Sequence, residues 1–210
     1  MNIQMHSISQ AIALGETAIS SAAVIIWLLQ KISQREFPLF AKVLLLLIFA
    51  NLFFWPLGLS LELPFAAYVR GTVGDLSIVT TLLLWSVLLA DNQKSPVAFS
   101  FGIGLIALGF YPFALGFSMV DPYAWGYGSV GFLIAVLLFA ILCGLANWTK
   151  GVWLIVLAII AWSVNWHEST NLWDYLLDPF LVFWAITSVL TFVLQKRRQK
   201  ARSGYLFRPG

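Results

Sequence analysis

The chain has 210 residues, 60% hydrophobic and only 10% charged, with a mean hydropathy of +0.89. A soluble globule carries about 25% charged residues to cover its surface, so this composition excludes that class and points to the bilayer as solvent. The formal charge of +3 gathers in a short tail that suits anionic lipid and does not mark a nucleic-acid binder.

Seven apolar stretches follow one another, where one crossing takes about 20 residues. The first runs from about Ile8 to Leu29 and stops at the polar break from Gln30 to Glu36. The second covers Phe37 to Leu61, with Trp55-Pro56 near its end, and closes at Glu62-Leu63-Pro64. The third begins after Arg70-Gly71 and ends at Asp91 to Pro96, and the fourth spans Val97 to Phe117 with Pro112 as a predicted kink. Asp121-Pro122-Tyr123 makes a turn. The fifth stretch covers about Tyr127 to Leu145, and Asn147 to Lys150 reverses the chain tightly. The sixth, Gly151 to Trp166, is the shortest, yet at about 1.5 Å per residue it reaches roughly 24 Å. Before the last, Asn171 to Leu177 reads as an interfacial helical turn, and Asp178-Pro179 supplies an N-cap with proline at the first helical position. Phe180 to Leu194 then crosses.

The expected fold is therefore an all-α integral membrane protein, a bundle of seven transmembrane helices, or six if the short sixth stretch is re-entrant. One domain is expected over residues 1–195, followed by a basic cytoplasmic tail at 196–210. Lys and Arg fix the orientation. Lys31, Arg35, Lys94, Lys150 and the tail from Lys196 to Arg208 all fall on one side, and Lys42 can snorkel there, whereas the other side holds Arg70 among acidic residues. The N-terminus is expected outside and the C-terminus in the cytoplasm of a bacterial inner membrane. The absence of Lys and Arg from the first 30 residues also argues against a cleaved signal peptide.

Chemistry in such a chain has to come from the few ionisable groups at membrane depth, where each is costly and so a functional candidate. Glu16 lies inside the first stretch, followed by Thr17, Ser20 and Ser21; Asp75 lies about a turn into the third, close to Arg70; and His167, Glu168, Asp174 and Asp178 precede the last crossing. The orientation places all of them toward the outer face. Two interpretations stay open. In one, Glu16, Arg70, Asp75, His167, Glu168 and Asp174 surround a periplasm-facing polar cavity in which Arg70 pairs with Asp75 or Glu16. In the other they cap helix ends, with Glu16 bonded to a neighbouring helix and the rest in wet loops. Asp174 and Asp178, four residues apart, suit either a divalent cation or acid-base work, or plain capping of the last segment.

Several classes are excluded. There is no Gly-rich phosphate loop and no nucleophile elbow; His167 lacks a second His at helical spacing for zinc; and Lys196 lies beyond the last crossing, too far for a retinal Schiff base. Cys143 reads as a small packing residue, the glycines from Gly102 to Gly104 and from Gly126 to Gly131 as close helix contacts, and the many Trp and Tyr as an interfacial belt. No catalytic residue, metal or cofactor is assigned. The leading functional expectation is a non-enzymatic protein serving envelope integrity or permeability through contacts with lipid or a partner membrane protein. The alternatives are a proton-coupled transporter or exporter of a small amphiphile, with Glu16 and Asp75 titrating, and a membrane-embedded enzyme acting on a lipid through His167, Glu168 and Asp174.

Overall fold

The computed structural model describes residues 2–58, 61–88, 95–117 and 119–205, and the side chains of all but a few of these. Helix dominates, and each of the seven apolar stretches contains one: α1 (Asn2–Ser33), α2 (Leu39–Phe53), α4 (Ile78–Leu88), α5 (Val97–Ala114), α6 (Val130–Leu145), α7 (Thr149–Ser163) and α9 (Pro179–Tyr205). Two shorter helices, α3 (Phe65–Val73) and α8 (Leu172–Leu176), lie between them. Three segments, Ser9–Ser33, Val97–Ala114 and Pro179–Ala201, are long and apolar enough to cross a membrane, and α2, α6 and α7 are shorter apolar helices. Their outward faces carry large apolar side chains, with Phe40, Leu108 and Phe183 each more than two-thirds exposed, a surface that lipid solvates and water does not.

The second stretch departs from expectation. Its helix stops at Phe53 because Pro56 lacks an N–H and disfavours helical backbone in the residue before it. In place of a helix reaching Leu61, strand β1 (Pro56–Gly58) turns back on β2 (Leu61–Pro64) as an antiparallel pair. The short helix α3 then lies against α1, and Phe65 stacks on Phe53 with ring centroids 5.0 Å apart. The third stretch also starts late: Arg70 and Gly71 belong to α3, and the next helix begins only at Ile78. Its expected end from Asp91 to Lys94 lies outside the described residues, as do residues 206–210 of the tail. The basic cluster from Gln195 to Lys200 is the exposed end of α9.

Packing differs across the bundle. Around α5, α6, α7 and α9 the core is aromatic, with Phe99 against Trp148 (4.4 Å between centroids), Phe139 and Trp184. On the other side α1 presents small residues, Ala13, Ala18, Ala22 and Ala23, all buried, which lets helices approach closely in lipid. The helix α4 occupies the centre, touching α1, α7, α8 and α9.

The chain reverses by a repeated device. Gly116, Asn147 and Asn165 adopt positive φ just past the ends of α5, α6 and α7. The next residue then donates back across the last turn: Phe117 to Pro112, Trp148 to Cys143 and Trp166 to Ala161, at 3.1, 2.9 and 2.9 Å. Asparagine tolerates this conformation better than most residues with a side chain. At Asn165 it has a consequence for the site, because it returns Trp166 and His167 toward the bundle.

Candidate functional site

Glu16 sits inside the Ser9–Ser33 segment with its side chain only 10% exposed. Its Oε1 accepts from Thr81 Oγ1 of α4 at 2.8 Å, and its Oε2 accepts from Trp166 Nε1 at 3.0 Å. The same oxygen lies 3.1 Å from Nε2 of His167, whose ring is 3% exposed and stacks on Tyr175. Thr81 of α4 and Trp166 and His167 of the loop after α7 thus take the place of the water this carboxylate has lost. One helical turn further on, Trp85 Nε1 donates to Ser20 Oγ at 3.1 Å. Glu16 and Ser20 thus meet Thr81 and Trp85 in the same order, so α1 and α4 run parallel.

Arg70 and Asp75 meet around the end of α3. Gly74, at φ 78°, ends the helix with its N–H on Arg70 O (2.8 Å) and turns the chain so that Asp75 comes back onto the guanidinium. The pair is bidentate, with Arg70 Nη2 donating to Asp75 Oδ2 at 2.8 Å and Nε to Oδ1. Glu168 Oε1 lies 3.6 Å from Nη2 of the same arginine. The hydrogen bonds from Arg70 hold the Asp75 carboxyl below its ordinary range against partial burial, and the same contacts raise the Arg70 pKa. Asp75 therefore lies in the α3 to α4 connection, not a turn into a helix as the sequence suggested.

The remaining acidic candidates do structural work. Asp178 is buried, and its Oδ1 accepts from Leu181 N while Oδ2 accepts from Ser77 N, both at 2.7 Å, so it caps α9 and anchors the chain entering α4. Asp174 accepts from Tyr123 Oη at 3.0 Å and from Ser169 Oγ. Leu177 is extended between these two aspartates, and they serve different partners. Among the described residues no group of three or more His, Cys, Asp or Glu is placed to hold a metal ion.

The structure thus brings Glu16 and His167 into contact, joins Arg70 with Asp75 and Glu168, and sets Asp174 apart against Tyr123. Sequence reasoning missed Ser77, Thr81, Trp85 and Tyr175. For three of them a signal was present, since Ser77, just before α4, and Thr81 and Trp85 within it recur every fourth residue along one face.

Beside these groups lies a cavity of about 780 Å³ between α1, α3, α4 and the start of α9. Glu16, Thr17, Ser20 and Ser21 line it from α1, with apolar neighbours such as Val24 and Trp27, and Phe65, Val69, Phe180 and Trp184 line it from α3 and α9. Asp75 and His167 stand at one end and Ser86 with Lys150 at the far end, where Lys150 Nζ donates to Ser86 Oγ at 2.7 Å. From Ala13 to Trp27 the lining covers roughly 21 Å of α1. No protein-family model, no curated protein and no solved structure matches this chain. Fold and site together define a helical protein with three helices able to cross a membrane and an elongated internal cavity.

Proposed function

We propose that this chain is a seven-crossing inner-membrane protein, outside at its N-terminus and cytoplasmic at its C-terminus, that holds an amphiphile within the bilayer. In that form the expected contribution to envelope integrity or permeability is made by binding a lipid-like molecule, without catalysis. The observation that carries it is the cavity: its volume lies within the roughly 300–1,000 Å³ of small-molecule sites, and its lining combines polar side chains of α1 with aromatic and aliphatic ones of α1, α3 and α9. The parallel course of α1 and α4 supports the topology, since the first and third crossings of an alternating chain run the same way. A cysteine at Tyr123 is expected to react with an impermeant thiol reagent added outside intact cells, and labelling only after lysis would reverse the orientation.

The binding test is native mass spectrometry of protein extracted from its membrane. Wild type should retain an amphiphile that Ser21→Phe, which fills the cavity from α1, releases. Identical bare spectra for both proteins would remove the proposal. A second reading, proton-coupled export, draws on the contact between Glu16 and His167 at the cavity wall. In proteoliposomes Glu16→Gln should then abolish pH-dependent movement of an amphiphile while folded protein persists; equal loss of folded protein would make Glu16 structural. The enzymatic reading has less support, because His167, Glu168 and Asp174 turn to three separate partners, Glu16, Arg70 and Tyr123.

A further inference from the structure

We infer that the ligand of this cavity is an amphiphilic organic cation, an alkylated ammonium on an apolar body, bound with its charge at the Glu16 and Asp75 end. This rests on the amphiphile-holding proposal above and narrows its chemistry.

Charge decides the class. At that end the cavity wall carries Glu16 and Asp75, with Glu168 beside them on the Arg70 guanidinium. Arg70 is the one guanidinium or ammonium that the described residues place there, and Asp75 and Glu168 share it. Glu16 accepts from neutral Thr81 and Trp166 and touches the His167 ring, so the three carboxylates Glu16, Asp75 and Glu168 outnumber the two basic side chains, Arg70 and His167, whatever the charge on the imidazole. An anionic head would meet uncompensated carboxylates in a poorly solvated space, where like charges repel most strongly. An uncharged head would leave the excess negative charge as it stands. A cation lowers it.

The walls agree. Phe65, Phe180 and Trp184 line the space, and aromatic faces attract alkylated ammonium groups through the ring quadrupole. Size argues against a bare inorganic cation, for which about 780 Å³ is far too large. Direction follows from the same placement, with the carboxylates at the Glu16 and Asp75 end and the one ammonium that the described residues bring to the lining, Lys150, at the other. Entry is available at the rim, since Val73, Gly74, Asp75 and Phe180 line the cavity and are exposed. The same ammonium chemistry has two sources, a dissolved amphiphile or the aminolipid of the bilayer itself.

The experiment is equilibrium dialysis of the full chain in uncharged maltoside micelles, against empty micelles, with three labelled probes of one chain length: dodecyltrimethylammonium, dodecanol and dodecyl sulfate. The cation is expected to bind saturably and about tenfold or more tighter than the other two. Glu16→Gln should erase most of that preference in the protein that remains folded, with Asp75→Asn as the second variant should Glu16→Gln fail to fold. Equal binding of all three probes, or preference for the sulfate, would overturn the cation while leaving the amphiphile proposal standing. Saturable binding of none would overturn both. Where the cation binds, displacement by added phosphatidylethanolamine identifies the bilayer as the source, and its failure to compete identifies a dissolved amphiphile.

Discussion

The two sides of this bundle solve the same problem with different materials. Where α5, α6, α7 and α9 meet, rings fill the space, with Phe99 held among Trp148, Phe139 and Trp184. Where α1 faces α4, hydrogen bonds join the helices beside the cavity, Thr81 donating to Glu16 and Trp85 to Ser20. In lipid the hydrophobic effect does not press helices together, so packing contacts and interhelical hydrogen bonds do. Rings give close contact and leave no room. Polar pairs fix a distance and a register with few atoms, which lets the region beside them stay empty. The contrast sets the proposed binding role on the α1 side and the tightest packing on the other.

That contrast predicts unequal tolerance of volume changes. Phe99→Ala should be the most damaging substitution considered, costing about 3–5 kcal/mol of unfolding free energy, because the rings around it cannot close the hole. Ser21→Phe on the open side should cost less than about 1 kcal/mol, since the added ring enters existing space. Reversible unfolding in mixed micelles measures both. Equal costs would mean that the cavity is not open in the membrane.

Asp178 joins the two sides and comes next. Asp178→Ala removes the cap of α9 and orphans the buried N–H of Ser77, for an expected loss of about 2–4 kcal/mol. Asp178→Asn, which keeps acceptor oxygen, should recover part of it. Gly126→Ala follows on the filled side, because a Cβ there would stand 1.7 Å from Asn171 Oδ1. Asn171 also accepts from Trp173 N and donates to Tyr123 O, so its displacement should cost about 1–3 kcal/mol. A neutral Gly126→Ala would show the turn from Pro122 to Gly126 to be free to shift.

The elements that local chemistry dictates were legible in the sequence. Each of the seven apolar runs contains a helix and Asp178-Pro179 starts α9, whereas of the glycines expected at close helix contacts Gly126 is tight against Asn171 in a turn, and Gly102, Gly104 and Gly128 meet open space. The hairpin at Pro56 to Pro64 was hidden because Leu57, Leu61 and Leu63 prolong an apolar run that reads as helix until the proline is weighed. The site was legible in half. Depth alone marked Glu16 as costly, yet its partners come from residues 65 and 150 positions away, and only the fold brings those together. Thr81 and Trp166 therefore read as an ordinary helix residue and a belt residue. Asp75 was placed one element too far along because nothing in Gly74 alone announces that α3 ends there.

The smallest expected effect sharpens the comparison at its edge, where the cavity meets water. Arg70 and Asp75 are 21% and 30% exposed, so solvent screens their attraction and the pair is worth about 0.5–1 kcal/mol in spite of its bidentate geometry. A double-mutant cycle with Arg70→Leu and Asp75→Asn should return a coupling of that size, and the cycle of Arg70→Leu with Glu16→Gln should be additive, since Arg70 reaches Asp75 and Glu168 and not Glu16. The pH dependence has a fixed sign. Asp75 has a lowered pKa in the folded protein, so its contribution is complete above the ordinary carboxylate value and disappears as pH falls through the lower folded one. The coupling should therefore be present at neutral pH and lost in acid. Coupling to Glu16 larger than coupling to Asp75 would put Arg70 inside the cavity, and would remove the uncompensated charge on which the choice of a cationic ligand depends.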